Sequence, residues 1–242
     1  MNAAIPSDLR TELAPTGTLR AALNLSNFLL VQHDAAAGVS RGVAPDLAAE
    51  LAARLGVPVA FQTYENAGKV ADAAAAWDVA FIGAEPQREH VIAFTPAYVE
   101  IEATYLVPAG SPLQAIEDVD RPGVRIATAE RSAYDLYLAR TLRAATLVRA
   151  GGIPASFDRF AAEGLEALAG LKPRLVADQA RLPGSRILAG SFTTIQQAIG
   201  TPRERRAAAA WLAVQVAEVK ASGWVAATIA RHGVQGLSVA RS

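Results

Sequence analysis

Short apolar runs alternate with alanine-rich amphipathic stretches along most of the chain, the pattern of strands crossing back through helices in an α/β protein. Leu19-Arg20-Ala21-Ala22-Leu23 reads as a first strand. From Pro45 to Leu55 the apolar positions Leu47, Leu51 and Leu55 recur every fourth residue, which predicts a helix, and Gly56 follows where a left-handed residue would stop it. Val57 to Gln62 reads as a second strand, Ala67 to Ala76 as a helix and Trp77 to Ile82 as a third strand. This β-α-β-α-β run predicts a parallel sheet.

A second unit opens at Tyr105-Leu106-Val107, and Gly and Pro punctuate Pro108 to Pro122 before the buried strand Val124 to Ala127. Ser132 to Ala145 and Phe157 to Leu168 read as helices, and Arg186-Ile187-Leu188 as a strand. Arg203 to Ala221 reads as a long amphipathic helix with Trp211, Leu212, Val216 and Val219 inward. Gly223 closes it, and Trp224 to His232 forms a last short helix. The expectation is two α/β halves of roughly 100 residues each, the size at which one chain divides into two cores.

Composition narrows the chemistry. With 242 residues, 52% of them hydrophobic, the chain can bury a substantial core without staples. Twenty-three basic residues balance 23 acidic ones, so no whole-chain attraction draws it to phosphate backbones or anionic membranes, and nucleic acid is not an expected partner. The absence of Cys removes thiol catalysis and Cys-based zinc sites. His33, His90 and His232 are widely separated and read as surface or satisfied residues, so neither a metal nor any other cofactor is expected. No Gly-x-x-x-x-Gly-Lys-[Ser/Thr] or Gly-x-Gly-x-x-Gly follows a strand, and no Gly-x-Ser-x-Gly elbow occurs, which removes the nucleotide and serine-hydrolase readings. No window approaches the roughly 18 apolar residues of a membrane span, so membrane insertion is not expected. The first residues, MNAAIPSDLRTELAPTG, lack a basic stretch followed by an apolar one, so no secretory signal is expected in the chain as given, and the expectation is either a trimmed signal or a cytoplasmic protein.

The segments GTLRAALN, RGVAPDLAAELAARLGVPVAF, WDVAFIGAEPQREHVIAFTPAY, GVRIATAERSAYDLYL and TTIQQAIGTPRERRAAAAWLAVQVAEVKASGWVAATIARHG, in that order, resemble the type II periplasmic solute-binding proteins of the polar-amino-acid class. The resemblance runs from about Gly17 to Gly236, and Asp78, Arg88, Phe94, Thr95, Pro96 and Tyr98 carry its most specific part. It implies a two-lobed α/β fold, each lobe a mostly parallel sheet flanked by helices. Lobe 1 would comprise residues 1–102 and 190–242 and lobe 2 residues 103–189, joined by crossovers near Glu100 to Leu106 and Leu188 to Phe192. It further implies a periplasmic monomer that binds a small carboxylate-bearing solute between the lobes, closes by hinge motion and hands it to the permease of an ABC importer.

The resemblance selects Arg88 as the carboxylate clamp, and a guanidinium suits the task because its planar fork of donors matches a carboxylate bidentately. The plain alternative is a solvated arginine, or one paired with Glu85 or Glu89. Asn24 and Asn27 follow the first strand, where open α/β sheets bind ligands, and either reads polar groups of the solute or forms an Asx turn. The family carries an acid and an aromatic in this loop, so two asparagines are a departure. Phe28 is either a stacking wall or core. Phe81, Gly83 and Glu85, at the end of the third strand, complete the first lobe's candidate set.

Glu130, Arg131 and Ser132 lie at the N-terminus of a helix, where backbone N–H groups favour an anion. Ser132 reads as an N-cap and Arg131 as a second carboxylate clamp, although the family places Gly-Ser or Gly-Thr here. Tyr134, Asp135 and Tyr137 follow, either lining the site or packing inward. Leu171 stands where amino-acid binders carry the Asp that meets the ligand's ammonium. An α-amino group without a carboxylate would be left desolvated at a cost of several kcal/mol, so a standard α-amino acid is not the expected ligand unless Glu65, Glu85 or Glu130 substitutes. The rival readings are a cyclohexadienyl-type dehydratase with Glu130 or Glu85 as general acid, and a cytoplasmic or sensor-linked binding module.

Overall fold

In the computed structural model, which describes residues 7–241, the chain divides into two compact units, Met1–Glu100 with Gln196–Ser242, and Ile101–Ile195. The first unit begins with α1 (Ser7–Leu13), β1 (Leu19–Asn24), the hairpin of β2 (Gln32–Asp34) and β3 (Val39–Arg41), and α2 (Val43–Leu55). It continues through β4 (Val59–Tyr64), α3 (Ala67–Asp72), β5 (Val79–Gly83) and β6 (Ile92–Phe94). α2 buries Leu47, Leu51 and Leu55, the stripe its spacing requires, and Gly56 ends it in the left-handed region. β1 pairs in parallel with both β4 and β5, as the β-α-β-α-β pattern demands. Under the sheet, Trp77 is fully buried against Val70, Ile82 and Ile92, and its indole N–H donates to the Val70 carbonyl at 2.9 Å.

The chain leaves the first unit inside β7 (Val99–Val107). The second unit then holds β8 (Arg125–Ala129), α4 (Ala133–Thr141), β9 (Thr146–Ala150), α5 (Ile153–Ala162), β10 (Ala167–Leu171), α6 (Lys172–Arg181) and β11 (Arg186–Ile187). Its strand order is β7-β10-β8-β9, with β10 antiparallel to β7 and parallel to β8, and β9 parallel to β8. Phe157 and Phe160 on α5 pack with Leu106, Leu165, Leu168 and Leu175 to form its core.

Here the helix expected over Phe157 to Leu168 is corrected. α5 stops at Ala162, Gly164 turns the chain at φ +57°, and Ala167 to Leu171 is a fully buried strand. Leu165 and Leu168 do continue the apolar spacing of Phe157 and Phe160, but from a different element. Likewise α4 ends at Thr141, short of the expected Ala145, and residues 146–150 form β9.

The return runs inside β12 (Thr193–Pro202), a few residues beyond the expected Leu188 to Phe192. β12 lies antiparallel to β5, with Ile199 opposite Phe81, and β6 pairs antiparallel with it, so the first unit's sheet is mixed rather than wholly parallel. α7 (Arg206–Ala221) starts three residues later than its amphipathic pattern predicts, because Arg203 to Arg205 form the turn that orients it, and α3 is likewise shorter than the expected Ala67 to Ala76. Trp211 is only half-buried on α7, whereas Leu212, Val216 and Val219 face the core. α8 (Trp224–His232) occupies the range its pattern predicts, and β13 (Ser238–Val239) ends the described chain against Val99 and Glu100. No helix among the described residues is long and apolar enough to cross a membrane.

Candidate functional site

A buried charge cluster sets the frame of the first unit. Asp78, fully buried, accepts from the Arg20 backbone N–H and guanidinium at 2.7 to 2.9 Å and from Arg205 Nη1 at 2.6 Å. Asp78, which the family motif includes, is therefore a structural anchor. Thr95 Oγ1 accepts from the Ile199 N–H, and Tyr98 packs edge-on against Phe81 at a centroid distance of 6.3 Å. Burial pushes the Tyr98 phenol far above its ordinary pKa. These motif positions hold the β5–β12 region together.

Because β1 and β5 are adjacent and parallel, with Leu23 opposite Phe81, the loops that follow them leave the same edge of the sheet side by side. The β5 loop carries Gly83, Glu85 and Arg88. Pro86–Arg88 is a single 3₁₀ turn opened by Glu85. Arg88 is only 3% exposed and its Nη1 donates to the Gly83 carbonyl at 2.6 Å, so the solvated alternative does not hold. Glu85 is buried beside it.

In the β1 loop the two asparagines differ. Asn24 Oδ1 accepts from the Ser26 backbone N–H at 3.1 Å and from its hydroxyl at 2.8 Å, an Asx turn. Asn27 is 5% exposed and its Oδ1 has no hydrogen-bond partner. An orphaned buried acceptor costs about 1 to 3 kcal/mol. Phe28, beside it, is 38% exposed, which corrects the core alternative for this ring. Phe81 is buried, and Glu65 is exposed after β4.

In the second unit the candidate residues cluster at the carboxyl end of β8. Ser132 is the N-cap of α4, its hydroxyl accepting from the Asp135 N–H at 3.1 Å. Asp135 is buried, pairs with Arg149 Nε at 2.9 Å and accepts from the Arg131 N–H at 3.0 Å. Arg131 is the sole non-glycine among the described residues with positive φ, at +58°. Glu130 and Arg131 are both exposed, whereas Leu171, at the end of β10, is buried. Thr128, which sequence reasoning did not single out, is fully buried at this crest with its hydroxyl oxygen unpartnered. A threonine in a buried strand gives no warning of that. Tyr134 packs inward and burial raises its pKa far above the ordinary value, while Tyr137 is half-buried and stacks on Phe192 at 6.0 Å. No group of three or more His, Asp or Glu residues suited to a metal ion occurs among the described residues.

Residues 30–235 match the profile of the bacterial extracellular solute-binding proteins, family 3. No curated protein sequence matches the chain. Among solved structures, a mutant of ArgBP from T. maritima is 20% identical, with a TM-score of 0.74 over 92% of this chain and 98% of its own. An ancestral amino acid-binding protein described as a precursor of cyclohexadienyl dehydratase is 20% identical, with a TM-score of 0.73 over 93% of this chain and 99% of its own. A histidine kinase sensor domain with similarity to periplasmic binding proteins is 18% identical, with a TM-score of 0.76 over 92% and 98%. The fold is that of the type II periplasmic binding proteins, α/β with two units joined by two strands.

Proposed function

We propose, from the premise that this chain belongs to the bacterial extracellular solute-binding proteins of family 3, that it captures a small solute through a carboxylate held by Arg88. The observation that carries this reading is the guanidinium of Arg88, buried at the crest of β5 and fixed in place by the Gly83 carbonyl. A buried guanidinium is a fixed cation whose fork matches a carboxylate, and exclusion of water strengthens the pair. Leu171, apolar where the amino-acid binders of the family carry an Asp, offers nothing to an ammonium, so the ligand is an acid without an α-amino group unless Glu65, Glu85 or Glu130 substitutes. Arg131, exposed at the crest of β8, is a second cation for an acidic solute.

The function is capture and release, with delivery to the permease of an ABC importer. A solute that binds only the folded form raises the melting temperature by mass action. A thermal-shift screen of carboxylic acids, amino acids and opines, followed by calorimetry, identifies the class. Hits lose their effect in Arg88→Ala while the unliganded variant still melts cooperatively; equal affinity in parent and variant rejects the clamp. Incubation of the hits, together with prephenate and arogenate, yields unchanged solute, and formation of product would transfer the assignment to an enzyme.

A further inference from the structure

We infer that Asn27 is the specificity-determining residue of this site and that the solute is a hydroxy acid, its hydroxyl donating to the Asn27 side-chain oxygen while its carboxylate meets Arg88. The inference rests on the carboxylate reading above and deepens it.

Asn27 is held on both main-chain sides. Its N–H donates to the Asn24 carbonyl at 3.2 Å, and its own carbonyl accepts from the Leu30 and Val31 N–H groups at 3.0 Å each. What remains outstanding is the side-chain oxygen, buried and without a partner. Had Asn27 served only to form a turn, that oxygen would engage a nearby N–H, as Asn24 Oδ1 does with Ser26. The residue sits on the loop beside the one that carries Arg88, because β1 and β5 are neighbours in register.

The chemistry of the missing donor follows from charge. A neutral amide oxygen satisfies a neutral O–H, but it does not compensate the charge of a desolvated ammonium, which needs a carboxylate. Leu171 supplies none, Glu65 and Glu130 are exposed, and the buried Glu85 is already engaged. A hydroxyl close to the carboxylate meets both groups at once, and a site built to bond it rejects the analogue that lacks it, since the buried acceptor would again be left alone.

Calorimetry on the full chain with matched probes tests this: lactate against propionate, malate against succinate and mandelate against phenylacetate, each with its 2-amino counterpart. In the parent, the hydroxy acid of at least one pair binds more tightly than its deoxy partner by about tenfold or more. In Asn27→Ala the two agree within about twofold, with the deoxy acid unchanged. The unliganded variant still melts cooperatively and no lower than the parent, because the oxygen removed has no partner and its burial is itself unfavourable. Asn27→Asp, of the same shape but charged, moves the preference toward the 2-amino acid. A hydroxyl preference that survives Asn27→Ala, or a 2-amino acid that binds the parent more tightly than the hydroxy acid, overturns the inference. If hydroxy and deoxy acids bind the parent alike and both are lost in Arg88→Ala, Asn27 is wrong and the carboxylate clamp stands. If no acid of the series binds, both fall.

Discussion

Arg205 Nη1 donates to Asp78 Oδ1 at 2.6 Å, joining residues 127 apart in the chain, and Arg20 grips the same carboxylate from β1. The carboxylate is fully buried and both arginines are mostly so. Removing the shared anion leaves two guanidinium groups facing one another in a desolvated setting. Asp78→Asn therefore costs about 3 to 5 kcal/mol, read as a lowered urea midpoint. A loss below about 1 kcal/mol would mean the cluster is solvated enough to dispense with its centre.

Arg131 holds a left-handed conformation that a glycine adopts without strain. Its N–H is tied to the buried Asp135, so the backbone has no freedom to relax. Arg131→Gly gains stability, about 0.5 to 1 kcal/mol after allowing for the greater unfolded-chain entropy of glycine, and weakens the capture of an acidic solute by about tenfold. Thermal melts with and without solute read both effects, and a variant that keeps full affinity removes Arg131 from the site.

Asp46, in the first turn of α2, accepts from both His232 Nε2 and Arg231 Nη2 at 2.7 Å, which staples α8 to α2. Burial pushes the Asp46 carboxyl up, but the hydrogen bonds from His232 and Arg231 outweigh it and leave the pKa below its ordinary value. A carboxylate depressed in the folded state contributes stability above its unfolded pKa, about 3.9, and loses that contribution as pH falls through the folded value. Stability of the parent thus declines below about pH 4 more steeply than that of Asp46→Asn. Parallel curves for the two proteins in acid would contradict it.

Gly42, the residue before α2, has φ +126°, and a Cβ there would lie 2.4 Å from the Leu30 carbonyl oxygen. Gly42→Ala costs about 2 to 4 kcal/mol through clash and strain. Proteolysis near residue 30 reports the same event, since the loop after β1 is what the new methyl group displaces, and an unaltered cleavage pattern with an unaltered melt would show that the backbone yields.

How far each element could be read from residues alone follows from how it declares itself. α2 and α8 have an apolar stripe and a glycine stop, and both are legible. β10 is Ala-Leu-Ala-Gly-Leu, without β-branched or aromatic residues, so its apolar spacing continues that of α5 and hides the boundary at Gly164. β12 begins Thr-Thr-Ile-Gln-Gln, polar in composition yet covered from Ile195 almost throughout by its neighbours, and only sheet pairing reveals it. In the candidate site, the residue types and their places at strand ends were legible. Which asparagine turns the chain and which is left with an open oxygen was not, because hydrogen-bond engagement depends on partners such as Ser26 and Leu30 being folded into place.

The Leu30 carbonyl that approaches Gly42 also accepts the Ala44 N–H at 3.1 Å, so the β1 loop is moored to the start of α2. For a solute captured as proposed, this loop is already tied in place by its own backbone hydrogen bonds. The ordering entropy on this side is settled when the chain folds, so less of the contact energy is lost to it on binding.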